Sequence, residues 1–150
     1  MKEPSSRTRI GGKMVGILII THGDLAEALI STAELIIGNL KMTRGISIWP
    51  QESREEVKDR IQSEMTKVNN GDGVVILTDI FGGTPTNQSL PFVKPEKVGV
   101  VTGVNISMLL AISCYREGKP VKEVCSLAKK AGRRSIVSVS EIQVRGKWNG

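Results

Sequence analysis

A chain of 150 residues, 39% hydrophobic and 24% charged, lies in the single-domain range and carries enough apolar side chains for one core; with aromatics at 3%, that core must be aliphatic. The formal charge of +6 collects largely near the ends, at Lys2, Arg7, Arg9, Lys13, Arg145 and Lys147; with no aromatic residues interleaved and no groove-reading motif, nucleic acid is not an expected partner. The two cysteines, Cys114 and Cys125, stand apart from any second histidine or C-x-x-C pair, which excludes a zinc pattern, argues against a disulfide framework and leaves buried thiols in a reducing cytoplasm as the expectation.

Residues 1–13 read as a flexible extension, with Met14 a candidate start, residues 14–140 as one domain and 141–150 as a tail. The apolar run 14–20 is too short to span a bilayer and is followed by Thr21-His22-Gly23-Asp24 instead of a cleavage site, so it predicts a first strand buried on both faces. Leu25, Ala28, Leu29, Thr32, Ala33 and Ile36 then recur at helical spacing up to Gly38, a suitable C-terminal cap. A second strand is expected over 45–49. Ser53-Arg54-Glu55-Glu56 reads as a capping box opening a helix with Val57, Ile61, Met65 and Val68 on one face, ended by Asn69-Asn70-Gly71.

The third strand, 73–78, runs into Asp79-Ile80-Phe81-Gly82-Gly83, after which Thr84 supplies an N-cap and Pro85 the first helical position. Residues 97–101 make a fourth strand, Asn105 caps a helix through Tyr115, Pro120 starts another, and 134–139 alternates like a final strand. Strands alternating with helices call for an α/β domain: a mostly parallel sheet, order 2-1-3-4, covered on both faces and joined by right-handed crossovers.

Ligands of such sheets bind beyond the carboxyl ends of the strands, where strand order reverses, here between strands one and three. His22, the single histidine, follows strand one and Asp79 follows strand three, so the topology brings an imidazole and a carboxylate together. A neutral imidazole attacks phosphorus through one nitrogen while a carboxylate accepting the other N–H fixes the tautomer and stabilises the developing cation. The backbone N–H groups of Gly23 and of Gly82, Gly83 and Thr84 lie at helix starts that favour anions, and are the expected phosphate donors. Taken singly, His22 also reads as a packing or surface residue, Asp79 as a turn residue, and Gly82-Gly83 and Thr84-Pro85 as a turn and a helix start.

Three segments, Val15-Gly-Ile-Leu-Ile-Ile-Thr-His-Gly23, Leu77-Thr-Asp-Ile-Phe-Gly-Gly-Thr-Pro85 and Thr102-Gly-Val-Asn-Ile-Ser-Met-Leu-Leu110, resemble the IIA domain of the mannose-type bacterial phosphoenolpyruvate-dependent sugar phosphotransferase system. The resemblance covers about residues 14–140. It implies a phosphohistidine relay in which the carrier protein HPr donates phosphate to His22 and a IIB domain receives it before a sugar is phosphorylated during uptake. By position, His22 matches the phosphorylated residue, Asp79 the acid beside it and Thr84 the hydroxyl residue after the paired glycines. It further implies a homodimer in which the last strand, here residues 135–140, crosses to the partner's sheet. A membrane would be met only through a transporter complex.

Thr84 stands where many members have serine, and Ser107 where a proline often follows Asn-Ile; both keep the local chemistry. A receiver domain phosphorylated on Asp79 is disfavoured by Thr21-His22 where an acidic pair is needed for magnesium. A phosphorylation-state sensor binding a kinase or transcription factor, and the phosphate-donating subunit of dihydroxyacetone kinase, remain as other readings. The chain has no G-x-S-x-G elbow, no G-x-x-x-x-G-K-[ST] loop and no complete G-x-G-x-x-G after a strand, and no cofactor or metal is indicated.

Overall fold

The apolar run that opens the body of the domain forms β1 (Gly16–His22), and six of its seven residues are buried while His22 is exposed. The computed structural model describes residues 12–144; the expectations for residues 1–11 and 145–150 lie outside the described residues. β1 runs two residues beyond the apolar stretch because Thr21 and His22 continue the pairing, opposite Ser47 and Ile48. The Thr21 side chain, fully buried, is satisfied by accepting from the Ala26 N–H at 2.8 Å, which also ties the strand to the helix that follows.

That helix is α1 (Leu25–Ile37), closed by Gly38 at φ +84°. β2 (Thr43–Ile48) and α2 (Arg54–Val68) come next. The predicted capping box is formed: Ser53 Oγ accepts from the Glu56 N–H at 3.2 Å and the Glu56 carboxylate from the Ser53 N–H at 3.0 Å. β3 (Val74–Thr78), α3 (Thr84–Ser89), a 3-10 turn over Leu90–Phe92 and β4 (Val98–Val101) complete the second half of the sheet. α4 (Ile106–Tyr115) begins at Asn105, whose side chain accepts from the Met108 N–H at 2.9 Å, and α5 (Val121–Arg134) begins at Pro120.

The strands pair in the order β2-β1-β3-β4, all parallel, as the sequence predicts. Alternation along the strands divides the core. Ile17, Ile19, Val75 and Leu77 face α1, α4 and α5, whereas Leu18, Ile20, Val74 and Ile76 face α2 and Phe92. Fully burying each such side chain stabilises the fold by about 1.5–3 kcal/mol, so both faces of the two central strands are committed to packing. The close fit extends to Gly16, where a Cβ would lie 2.2 Å from the Val68 carbonyl oxygen.

Two expectations are corrected, and one buried cation is new. The alternating stretch 134–139 is not a strand: α5 runs to Arg134, residues 136–138 are irregular and α6 covers Val139–Val144. A strand needs an edge to pair with, and alternation over six residues supplies a face without supplying that partner. Cys114 is exposed; only Cys125 is partly enclosed, and burial pushes its thiol up from the ordinary value. Arg116, at the end of α4, is not singled out by the sequence and is 2% exposed. Its guanidinium donates to the carbonyls of Val15, at 2.8 Å, and Lys41, knitting together the amino-terminal ends of β1 and β2, and burial pushes it down to about 10.

Candidate functional site

β1 and β3 are neighbours, yet the connections leave them in opposite directions, to β2 on one side and β4 on the other. The crevice beyond their carboxyl ends holds both residues singled out from the sequence. His22 Nδ1 lies 2.8 Å from Asp79 Oδ2, and the same oxygen accepts the His22 backbone N–H at 2.9 Å. Asp79 Oδ1 accepts the Ile80 N–H at 3.0 Å. The imidazole is 53% exposed and the carboxylate 15%, so the acid forms the floor and the ring projects from it.

Burial pushes the Asp79 carboxyl up, but the His22 backbone N–H, the imidazole and the Ile80 N–H outweigh it and hold the group below the ordinary carboxylate range. An ionised carboxylate only accepts hydrogen bonds, so Nδ1 carries the ring proton and Nε2 keeps its lone pair. The arrangement sets an anion behind the imidazole, able to steady a positive charge that grows on the ring.

The expected anion donors divide into two groups. Gly23 and Gly83 do not offer free amides: the Gly23 N–H donates to the Ile48 carbonyl at 3.0 Å, and the Gly83 N–H to the Ile80 carbonyl at 3.3 Å. The first is a consequence of β1 continuing through His22, which keeps the next amide in the ladder. Gly82, at φ +80°, and Thr84 have N–H groups with no partner among the described residues. The helix start also moves by one residue. Gly83 is the N-cap, Thr84 the first helical residue and Pro85 the second, so the Thr84 hydroxyl does not cap and is left free for other chemistry.

Gly83 has a steric role instead. A Cβ there would stand 2.9 Å from Ile80 Cγ2 and 3.0 Å from His22 Cε1, so only glycine lets the loop lie against the imidazole edge. Beside His22 opens a cleft of about 820 Å³, walled by Trp49 and Pro50 after β2, Arg54 at the start of α2, and Thr84, Asn87 and Gln88 of α3. The sequence reading missed this wall. Trp49, 42% exposed at the end of a strand, is its one available signal, since an exposed indole at a strand's carboxyl end is costly unless something covers it. No three of His, Cys, Asp and Glu gather into a metal-holding group among the described residues.

A family profile described as "PTS system fructose IIA component", EIIA-man, matches residues 16–129. The chain belongs to the EIIA-man family. This agrees with the resemblance carried by the three sequence segments. The chain is 34% identical over 124 residues to the mannose-specific EIIAB component of the phosphotransferase system of Escherichia coli K12, covering 81% of this chain and 38% of that protein. It is 26% identical to the fructose-specific EIIA component of Bacillus subtilis, over 85% of this chain and 88% of the relative. The crystal structure of an EIIA component from Streptococcus agalactiae superimposes with a TM-score of 0.76 at 28% identity, covering 85% of this chain and 99% of the other. The match therefore spans a little over a third of the E. coli EIIAB relative, and most of the B. subtilis and S. agalactiae EIIA components. No helix among the described residues is long and apolar enough to cross a membrane.

Proposed function

We propose that His22 Nε2 takes a phosphoryl group from the carrier protein HPr and passes it to a IIB domain, so that this EIIA-man chain serves sugar uptake as a cytoplasmic phosphohistidine carrier. The observation that carries the reading is the 2.8 Å contact between His22 Nδ1 and Asp79 Oδ2 at the point where strand order reverses. It supports a ring with a defined nucleophilic nitrogen and a built-in counter-charge.

In the proposed step the Nε2 lone pair forms a bond to phosphorus as the bond from phosphorus to the donor breaks. The ring becomes cationic, and Asp79 stabilises it through the Nδ1–H without taking phosphate itself. The phosphoryl oxygens are received by the Thr84 N–H and hydroxyl and the Gly82 N–H, the groups the loop leaves without partners. Onward transfer is the reverse of the same step toward a new acceptor. The partner proteins reach His22 along the cleft under Trp49, and the coupled A and B components in the name of the E. coli relative support a IIB domain as acceptor.

The proposal includes a homodimer in which residues 135–140 leave their chain and pair with the partner's sheet. The exposure of Ile136 at 81% and of Val137 and Val139 at 49% each supports an apolar segment that still has a surface to find. Incubation with phosphoenolpyruvate, enzyme I and HPr tests the central step: wild type accumulates acid-labile, base-stable phosphate and His22→Ala accumulates none. Undiminished labelling of His22→Ala would overturn the assignment.

A further inference from the structure

The hydrogen bonds of the loop that carries Asp79 converge on Ile80. Its carbonyl accepts from the Thr86 hydroxyl at 2.7 Å and from the Gly83 N–H at 3.3 Å, and its own N–H donates to Asp79 Oδ1 at 3.0 Å. Thr86 is 3% exposed and Thr78 fully buried, and their hydroxyl oxygens are 2.7 Å apart. A hydroxyl has one proton to give. The Ile80 carbonyl can only accept, so the Thr86 proton points at it and Thr78 must be the donor to Thr86. The result is a one-way chain from Thr78 to Thr86 to the Ile80 carbonyl, in which each link polarises the next.

The placement of this chain matters as much as its direction. Thr78 is the last residue of β3 and Thr86 the third of α3, so the two hydroxyls bridge the ends of the loop and hold its middle from beneath. The other ties within the loop are longer, at 2.9 Å for the Asn87 N–H to the Gly83 carbonyl, 3.0 Å for the Ile80 N–H to Asp79 Oδ1, 3.2 Å for the Asn87 amide to the Gly82 carbonyl and 3.3 Å for the Gly83 N–H to the Ile80 carbonyl, and of these only the last holds the Ile80 carbonyl. Freed from Thr86, the Ile80 carbonyl would keep only the longer tie from the Gly83 N–H, and its shift would pull through the Ile80 N–H on Asp79, whose remaining hold on this side is the His22 backbone N–H at 2.9 Å. A hydrogen bond of 2.8 Å does not survive a displacement of an ångström.

We propose that Thr86, backed by Thr78, is a positioning residue whose hydroxyl pins the Ile80 carbonyl and thereby keeps the Asp79 carboxylate on His22 Nδ1 and Nε2 free. The kinetic consequence rests on the phosphohistidine reading; the effect on the imidazole does not. Because the chain has one histidine, tag-free protein labelled with 15N-histidine reports the His22 tautomer without overlap. In wild type and Thr86→Ser the Nδ1–H form is expected to dominate, and in Thr86→Val the two tautomers mix.

With saturating phosphorylated HPr, Thr86→Val is expected to lower kcat about ten-fold at unchanged KM, while Thr86→Ser stays within about two-fold of wild type. Thr78→Val, which leaves the Thr86 to Ile80 bond in place, is expected to fall about three-fold. A wild-type tautomer and rate in Thr86→Val overturn the proposal, and so does a Thr86→Ser variant as impaired as the valine. Where Thr86→Val does not fold, Thr78→Val decides alone, and a wild-type spectrum and rate there overturn it. If wild type takes no phosphate from HPr, the functional reading falls by itself, while the 15N comparison still decides the role of Thr86.

Discussion

The loop under His22 and the segment after α5 meet their needs in opposite ways. At the His22 end, polar groups find partners inside the chain: Asp79 holds the imidazole, Ile80 holds Asp79, and the Thr86 hydroxyl holds Ile80. After α5, the apolar side chains of Ile136, Val137 and Val139 stand exposed, next to a sheet whose outer strand, β4, pairs with β3 and, among the described residues, with no second strand on its other side beyond a bridge from Val98 to Lys94. Polar satisfaction is short-ranged and can be completed by a few neighbouring residues. Apolar burial needs area, and a short segment cannot supply that area by itself. The difference separates a cluster whose polar groups are satisfied by neighbours from a segment whose apolar side chains are exposed in this structure.

The largest effect should come from breaking the first region at its centre. Asp79→Asn keeps the shape but can present an N–H where the carboxylate accepted, which favours the wrong tautomer and removes the counter-charge; phosphoryl transfer to His22 should slow by about 10²–10⁴-fold, read from initial labelling rates. The same substitution has a signature in stability. The Asp79 carboxyl is held below its ordinary value, so the folded state binds its proton less readily than the unfolded chain. Its contribution is fully present above the unfolded carboxyl's value and is lost as pH falls through the lower, folded value. Urea unfolding across the acid range should therefore show wild type and Asp79→Asn converging at the acid end and separating as pH rises. Parallel curves over that range would remove Asp79 as an ionised partner of His22.

Much of the first region is legible in the sequence because its signals are local. Continuous apolar runs mark the strands, Ser53 and Asn105 mark helix starts, and the strand order follows from the alternation of elements. That order alone predicts that His22 and Asp79, 57 positions apart, lie side by side, and in the structure they meet at 2.8 Å. The misreadings share a cause, which is that they depend on partners a sequence window does not contain. β1 extends through Thr21 and His22 because β2 pairs with them, so the Gly23 amide is spent in the ladder. The burial of Arg116, on which the sequence reading is silent, has the same cause, since the carbonyls of Val15 and Lys41 that receive it are 101 and 75 positions away. Residues 134–139 have the alternation of a strand, but they pair with no sheet edge among the described residues. The Thr78 and Thr86 hydroxyls, eight residues apart, read as unremarkable polar residues until the loop between them is closed.

A smaller effect is expected from crowding the site without changing its charges. In Gly83→Ala the new methyl carbon would meet Ile80 Cγ2 at 2.9 Å and His22 Cε1 at 3.0 Å. The φ of −78° at Gly83 suits alanine, so backbone strain does not confuse the result. The ring has to give by a few tenths of an ångström, and the transfer rate should fall by about ten-fold with near-normal stability. Serine at position 84 in place of threonine makes the matching control: it keeps the hydroxyl and the N–H and should leave the rate unchanged. A Gly83→Ala protein as fast as wild type would show that the loop yields more easily than its hydrogen bonds suggest.

The smallest effect on the folded chain belongs to the second region. Ile136 is 81% exposed, so Ile136→Ser removes almost no buried area within the chain, and the stability of the monomer, measured by urea unfolding at low protein concentration, should change by no more than about 0.5 kcal/mol. If the segment is buried against a second copy, the cost appears there instead. Losing a buried isoleucine at an interface costs about 1.5–3 kcal/mol, which corresponds to a ten-fold or greater rise in the dimer dissociation constant and is readable by sedimentation across a concentration series. α6, six residues long, is too short to resist such a rearrangement by its own helical stability. His22 and Asp79 lie within a single chain, so the variant should still accept phosphate at the wild-type rate. An unaltered association constant would leave the apolar segment without a dimer to explain it, and a loss of phosphate acceptance would mean that the two regions are not independent.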